Sequence, residues 1–276
     1  MSAITRYIPK NHVSYFVGKL VHMRLPPPFR GLTQFIIAKF AKAYRINLDE
    51  AEFSIDQYES LGEFFIRRLK PGARPLASTW AVHPADAVIT QAANMAEGKL
   101  IQAKGRTYSL ENFTQDPHGA KKWHDGIFLT YYLCPTDYHR VHAPVTGIIK
   151  RISHIPGKLW PVNSWSTTNI HELFSVNERV LVEIETDRGP VGVMFVGATN
   201  VGQIILAFDP DVIGNQMDSA VKYDKTYNQP IQKGDELGAF RMGSTVVMLY
   251  AKGQLPDSFS PDQWINQATR VNNSLV

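Results

Sequence analysis

Apolar residues recur at two different periods along this chain, and the period changes near residue 75. Between residues 33 and 46 the spacing is helical. On a wheel of about 3.6 residues per turn, Ile36, Ile37, Phe40, Ala41 and Tyr44 share one side. Lys39, Lys42 and Arg45 share the other, with Phe35 among them. Pro26-Pro27-Pro28 separates this helix from an earlier candidate. A third helix is expected over residues 60–69. Ser60 and Glu63 have capping-box spacing. Leu61, Phe64, Phe65 and Leu69 form its stripe, and Arg67 and Arg68 occupy the last turn, where the helix dipole favours cations. Two prolines and a glycine in Lys70-Pro71-Gly72-Ala73-Arg74-Pro75 then forbid a continuing helix.

From residue 80 the runs become short and apolar or alternating, at 88–90, 127–133, 147–152, 180–186, 191–196, 203–207 and 245–251. Gly, Pro, Asn and Asp separate them, the mark of a mostly antiparallel sheet. The expected fold is α+β: N-terminal helices followed by an antiparallel β barrel or sandwich core. Residues 1–75 form the helical segment and 76–276 the β-rich domain.

Charge sharpens the picture of the first segment. Residues 1–48 carry eight Lys or Arg and no acid, while the rest of the chain has net charge −4. A surface of one sign favours an anionic partner, nucleic acid or membrane. A basic face opposite a bulky apolar one suits a helix lying in a membrane interface. The reading is therefore an anionic membrane surface met by Ile36, Ile37, Phe40, Lys39, Lys42 and Arg45, and no nucleic acid. A plain surface helix packed on the core has a similar pattern. No run of 18 apolar residues exists, and the start does not read as a signal peptide. Hydrophobic content of 44% in 276 residues supports a sizeable core without staples. The one cysteine, Cys134, permits neither an internal disulfide nor a thiol-based zinc site, and it reads as a small buried hydrophobe.

Three places could carry chemistry. Tyr138-His139-Arg140-Val141-His142 follows a strand and places two histidines three apart, on opposite faces if the strand continues. Two histidines without a completing ligand do not make a metal site, so no metal is expected. Gly243-Ser244-Thr245 precedes the run Val246–Tyr250 and by itself reads equally well as a turn. Asp86 enters a strand, where an acid is usually a turn former. Together, Asp86, His142 and Ser244 supply the orienter, base and nucleophile of a triad. A serine hydrolase is one use of such a triad. A non-enzymatic membrane-binding β domain is the blander alternative.

Several blocks, in order, resemble the phosphatidylserine decarboxylase family. Asp137-Tyr138-His139-Arg140-Val141-His142-Ala143-Pro144, with Gly147, is similar to its signature, and Gly243-Ser244-Thr245 to its self-cleavage motif. Phe64-Phe65-Ile66-Arg67-Arg68-Leu69-Lys70-Pro71 with Arg74-Pro75 resembles its N-terminal block. Lys104-Gly105-Arg106-Thr107-Tyr108-Ser109, Pro156-Gly157-Lys158-Leu159, Pro161-Val162-Asn163, Asn177-Glu178-Arg179, Val196-Gly197-Ala198 and Val201-Gly202 continue the match. The resemblance spans roughly residues 55 to 251. Met242 stands where the family usually has Leu, and Ala87 where it often has Gly.

The resemblance implies a decarboxylase that makes its own cofactor. Ser244 attacks the carbonyl of Gly243, with His142 as base and Asp86 as its orienter. Elimination and loss of ammonia leave a pyruvoyl group at position 244. That group forms a Schiff base with phosphatidylserine and releases CO2, giving phosphatidylethanolamine, with His139 near the protonation step. Residues 76–276 are then the catalytic domain. The β chain (1–243) and α chain (244–276) stay together as a heterodimer, and a homo-oligomer is compatible with this. The implied location is peripheral, on the cytoplasmic side of the cell membrane.

Overall fold

The computed structural model describes residues 12–103, 106–199, 203–212, 222–241 and 243–276. Arg6, Lys10, Lys104, Gly105, Val201, Gly202 and Met242 lie outside the described residues, and Ser244 is described by its backbone alone.

Three helices form the N-terminal layer: α1 (His12–Val21), α2 (Arg30–Ala43) and α3 (Leu61–Phe65). Ser60 caps α3 by accepting from the Glu63 amide, and Glu63 accepts from the Glu59 amide, one residue upstream of the expected capping-box partner. α3 ends at Phe65, short of the expectation. Arg67 therefore leaves the helix, turns inward, and donates from Nη2 to the Thr136 and Asp137 carbonyls at 3.1 and 3.3 Å.

The inner face of α2 differs from the wheel. Ile37 and Ala41 are buried with Ile46, Tyr58 and Phe64, and Phe40 packs against that cluster. Phe40 also meets the rings of Tyr44, Phe64 and Phe65. Ile37 and Phe40 are thus packing residues, and the expectation that they meet a membrane is corrected here. The apolar residues that α2 leaves in the open are Leu32, Phe35 and Ile36, and Phe29 precedes them. Lys39 lies over the Phe35 ring at 5.3 Å. α2 thus packs on the core by one side and leaves apolar residues exposed on the other. No helix among the described residues is long and apolar enough to cross a membrane.

The strands, in chain order, are β1 (Ala87–Asn94), β2 (Lys99–Ala103), β3 (Arg106–Ser109), β4 (Ile127–Leu133), β5 (Arg140–His142), β6 (Gly147–Ile155) and β7 (Arg179–Thr186). There follow β8 (Gly189–Val196), β9 (Ile204–Leu206), β10 (Tyr223–Ile231), β11 (Glu236–Phe240), β12 (Ser244–Tyr250) and β13 (Ala268–Thr269). Short helices α4 (Leu110–Thr114), α5 (Ser164–Asn169) and α6 (Leu173–Val176) lie between them.

Eight strands form one antiparallel sheet in the order β10-β6-β7-β8-β12-β4-β1-β13. Separate sheets are β5-β11-β9 and β2-β3. The large sheet has free edges at β10 and β13, so the barrel form of the expectation is not realised and the layered, sandwich-like form is. β7 and β8 each bury six successive residues, so the sheet is covered on both faces. β12 lies inside it, in register with β4 from Ser244–Leu133 to Tyr250–Ile127, and with β8 from Thr245–Val196 to Tyr250–Val191. Val246, Val247, Met248 and Leu249 are fully buried. Each such side chain contributes about 1.5–3 kcal/mol relative to exposure, as an upper estimate.

Candidate active site

The junction of Gly243 and Ser244 sits where the chain passes from the small sheet into the large one. Ser244 opens β12 opposite Leu133, the last residue of β4. Beyond Leu133 the chain makes a side-chain-supported turn. Asp137 Oδ2 accepts from the Cys134 amide at 2.7 Å, and the Cys134 carbonyl accepts from the Asp137 amide at 2.9 Å. An aspartate closing its own turn in this way is a frequent device. The residues after it continue into β5, which pairs with β11.

His139 lies two residues beyond Asp137 and is fully buried, its ring centroid 4.0 Å from that of Phe65. Its Nδ1 donates to the Asp137 carbonyl at 2.9 Å. A carbonyl only accepts, so the proton is on Nδ1 and Nε2 presents a lone pair. Nε2 is buried and has no hydrogen-bond partner among the described residues. Burial pushes its pKa down to about 3, so the ring is neutral at ordinary pH.

His142 is placed differently. β5 and β11 pair with Glu236 opposite His142 and Ala239 opposite Arg140, and the Phe240 amide then donates to the His139 carbonyl at 3.0 Å. The chain therefore passes His142 first, His139 next, and only then reaches Gly243 and Ser244. Both ring nitrogens of His142 are engaged. Nδ1 donates to the Gly234 carbonyl at 2.7 Å, and Nε2 accepts from the Tyr138 hydroxyl at 3.0 Å. Burial lowers its pKa.

Asp86 is held by other groups too. Arg74 grips its carboxylate, with Nε 3.0 Å from Oδ1 and Nη2 2.5 Å from Oδ2, and the Val271 amide donates to Oδ1 at 2.8 Å. Arg74 Nη2 also reaches Glu50 at 2.9 Å. None of these hydrogen bonds joins Asp86 to His142. Asp86 and Asp137 share a cavity of about 490 Å3, and burial, with the Asp86 charge adding, lifts Asp137 to about 6. Sequence reasoning placed Asp137 in the signature but gave it no role. The available signal was an acid three residues after Cys134, at the end of an apolar run.

A second cavity, of about 250 Å3, ends at Gly243. Phe40, Tyr44, Phe65, Tyr132 and Leu133 give it a largely aromatic and aliphatic wall. Its far side is the segment after Pro161. Asn163 caps α5 through the Ser166 amide at 2.9 Å. Buried Gln102 staples that segment, donating to the Thr167 and Ile170 carbonyls and accepting from the Leu173 amide. Of the residues singled out in the sequence, the structure places the Ser244 backbone opposite Leu133, Gly243 in the wall of this second cavity with Phe65, and His139 against Phe65, while Asp137 lines the first cavity with Asp86. His142 and Asp86 belong to separate hydrogen-bond sets, although the Asp86 charge reaches His142 and works against the lowering of its pKa by burial.

The family model described as phosphatidylserine decarboxylase matches residues 61–275. Similar curated proteins include the phosphatidylserine decarboxylase proenzyme of Anaeromyxobacter sp. (strain K), 39% identical over 253 residues, covering 90% of this chain and 88% of that protein. The proenzyme of the same name from Vibrio cholerae is 40% identical over 254 residues, covering 89% of this chain and 88% of its own length. A match of this breadth makes the protein a decarboxylase, a carboxy-lyase. It belongs to the phosphatidylserine decarboxylase family.

Proposed function

We propose that this protein cuts itself between Gly243 and Ser244, and decarboxylates phosphatidylserine with a pyruvoyl group formed from Ser244. The observation that carries the reading is the buried, unpartnered lone pair of His139, whose main-chain carbonyl accepts from the Phe240 amide four residues before Ser244. Serine needs a base to attack a carbonyl at neutral pH. The strand register favours His139 for that task over His142, reversing the division of labour expected from the resemblance. In this reading Nε2 takes the Ser244 hydroxyl proton as Oγ attacks the Gly243 carbonyl. Asp137 holds the turn, its main-chain carbonyl fixing the tautomer. Asp86 and His142 are positioning residues, keeping the Arg74 network and the β5–β11 pair in place.

An apolar cavity ending at Gly243 and an orphaned buried nitrogen fit a small ketone at position 244. A pyruvoyl group there supplies an electron sink for the bond that breaks to release CO2. The cavity walls would seat the glycerol end of the lipid, and Nε2 of His139, which carries no proton at rest, would take one up from solvent in each turnover and pass it to carbon. Intact-mass spectrometry tests the reading. A 33-residue fragment (244–276), lighter by one ammonia than its serine-ended form, is expected. An active decarboxylase consisting of one intact chain overturns it.

The same reading puts the protein on the cytoplasmic face of the cell membrane, held by α2. Leu32, Phe35 and Ile36 would enter the interface and Lys39 and Lys42 face anionic headgroups, each basic residue contributing about 1 kcal/mol. Replacing Lys39 and Lys42 with Glu is expected to weaken binding to anionic vesicles more than tenfold, and added salt to weaken the parent likewise. Ile36→Ser should also weaken it with little change in stability. Equal co-sedimentation of parent and variants at low salt would exclude α2 as the anchor.

A further inference from the structure

We infer that the protein carries a second ligand site, for a phosphate-bearing anion, beneath the N-terminal helices and away from the Gly243 cavity. The guanidinium of Arg67 stands in the wall between two cavities. Its Nη2 donates to the carbonyls of Thr136 and Asp137, which line the larger of the two. Its Nε and Nη1 are buried and have no partner among the described residues. The smaller cavity, of about 220 Å3, is the one on this other side. Its wall also holds Tyr58, whose buried hydroxyl has the Phe53 main-chain amide beside it and no acceptor for its own hydrogen among the described residues.

Arg67 is 5% exposed and Tyr58 8%. A buried guanidinium with two idle donors carries a large desolvation cost unless something accepts from it. Three unpartnered donors on residues that line one chamber therefore call for an acceptor of several lone pairs. Arg68 and Arg140 line the same chamber, and its one carboxylate, Glu63, is already paired with Arg24 at 2.5 Å. Arg140 is tied to Glu236 and to the Ile66 carbonyl. The lining keeps a positive excess, which selects an anion over a water molecule. A tetrahedral oxyanion matches a guanidinium edge bidentately and accepts a phenol hydroxyl on a third oxygen. The chamber is large enough for a phosphate group. Free phosphate and the headgroup of an anionic phospholipid present the same chemistry there. Occupation would fix Arg67 from its free side, and Arg67 is the residue that clamps the turn leading to His139.

The test is calorimetric titration and thermal shift on the intact protein at constant ionic strength, with chloride as the matched salt. Inorganic phosphate is expected to bind and to raise the melting temperature. Tyr58→Phe keeps the ring and the packing, and Arg68→Gln changes an exposed side chain, so both should fold. Tyr58→Phe is expected to weaken phosphate binding about tenfold and Arg68→Gln several-fold. Arg67→Lys should lose it. Glycerophosphoglycerol, a phosphodiester without acyl chains, separates the sources: competition with phosphate assigns the site to a lipid headgroup, and no competition assigns it to free phosphate. Absence of any phosphate-dependent shift overturns the inference, as does an affinity unchanged in Tyr58→Phe.

Discussion

His139→Ala is expected to leave the protein as a single uncut chain over times in which the parent is fully cut, whereas His142→Ala still cuts. A positioned general base contributes about 10²- to 10⁴-fold, so cutting in His139→Ala should slow by that factor. Ser244→Ala should not cut at all, since a methyl group cannot attack a carbonyl. His139 is favoured by its geometry. Its Nε2 lone pair has no competing donor among the described residues, and its carbonyl holds Phe240, four residues before Ser244. His142 lies opposite Glu236, its Nε2 already taken by Tyr138. Losing that ring leaves the Gly234 carbonyl and the Tyr138 hydroxyl short of a partner, which costs stability of about 1–3 kcal/mol without removing the base. A time course on a denaturing gel separates the cases. If His142→Ala stays whole while His139→Ala matures, the base is His142 and the pairing of its nitrogens rearranges before the cut.

Arg74→Met is expected to lower folding stability by about 3–5 kcal/mol, the size found when one member of a buried ion pair is removed. The Arg74 and Asp86 side chains are 9% and 10% exposed, and Arg74 also serves Glu50. Without the guanidinium, Asp86 keeps only the Val271 amide, and two carboxylates face each other across a poorly solvated space. Urea unfolding should be measured in a Ser244→Ala background, so that every sample is one uncut species. Adding Asp86→Asn to Arg74→Met should recover part of the loss, because the stranded charge is gone. A loss below about 1 kcal/mol would mean the pair behaves like a solvent-screened surface contact. Asp86 would then be free to turn toward a histidine, as the triad reading requires.

What could be read from the sequence follows from where its signals are physical and local. Strand β4 matches its apolar run residue for residue, and β12 begins one residue before the expected run, because both are mostly buried and so read as near-continuous hydrophobic stretches. β10 escaped notice for the opposite reason. As Tyr-Asp-Lys-Thr-Tyr-Asn-Gln-Pro-Ile on a sheet edge, it is polar and carries a proline that only an edge tolerates. The wheel of α2 marked the helix but not which apolar residues face inward. Phe35, Ile36, Ile37 and Phe40 are alike in kind, and only the position of Tyr58 and Phe64 decides among them. The end of α3 was misjudged because Arg67 suits a helix terminus as well as it suits a buried clamp. The two histidines have equal claims in sequence. Their difference lies in a pairing between segments about a hundred residues apart, which no local pattern carries.

The place of β12 has a consequence for how the molecule comes into being. The bond proposed to break lies at the entry of an interior strand, and the segments paired with that strand and with the β11 before it, namely β4, β8 and β5, lie far back in the chain. None of them is near Ser244 until the long-range pairing is complete. A nascent or misfolded chain therefore has no means of cutting itself, and the cut becomes a record that the sheet was assembled in register. The fraction of two-chain protein in a preparation would count the molecules that folded, in the way a tamper seal reports a finished package. Once made, that mark is irreversible, so a molecule that later unfolds and loses its short chain has no route back to the active form.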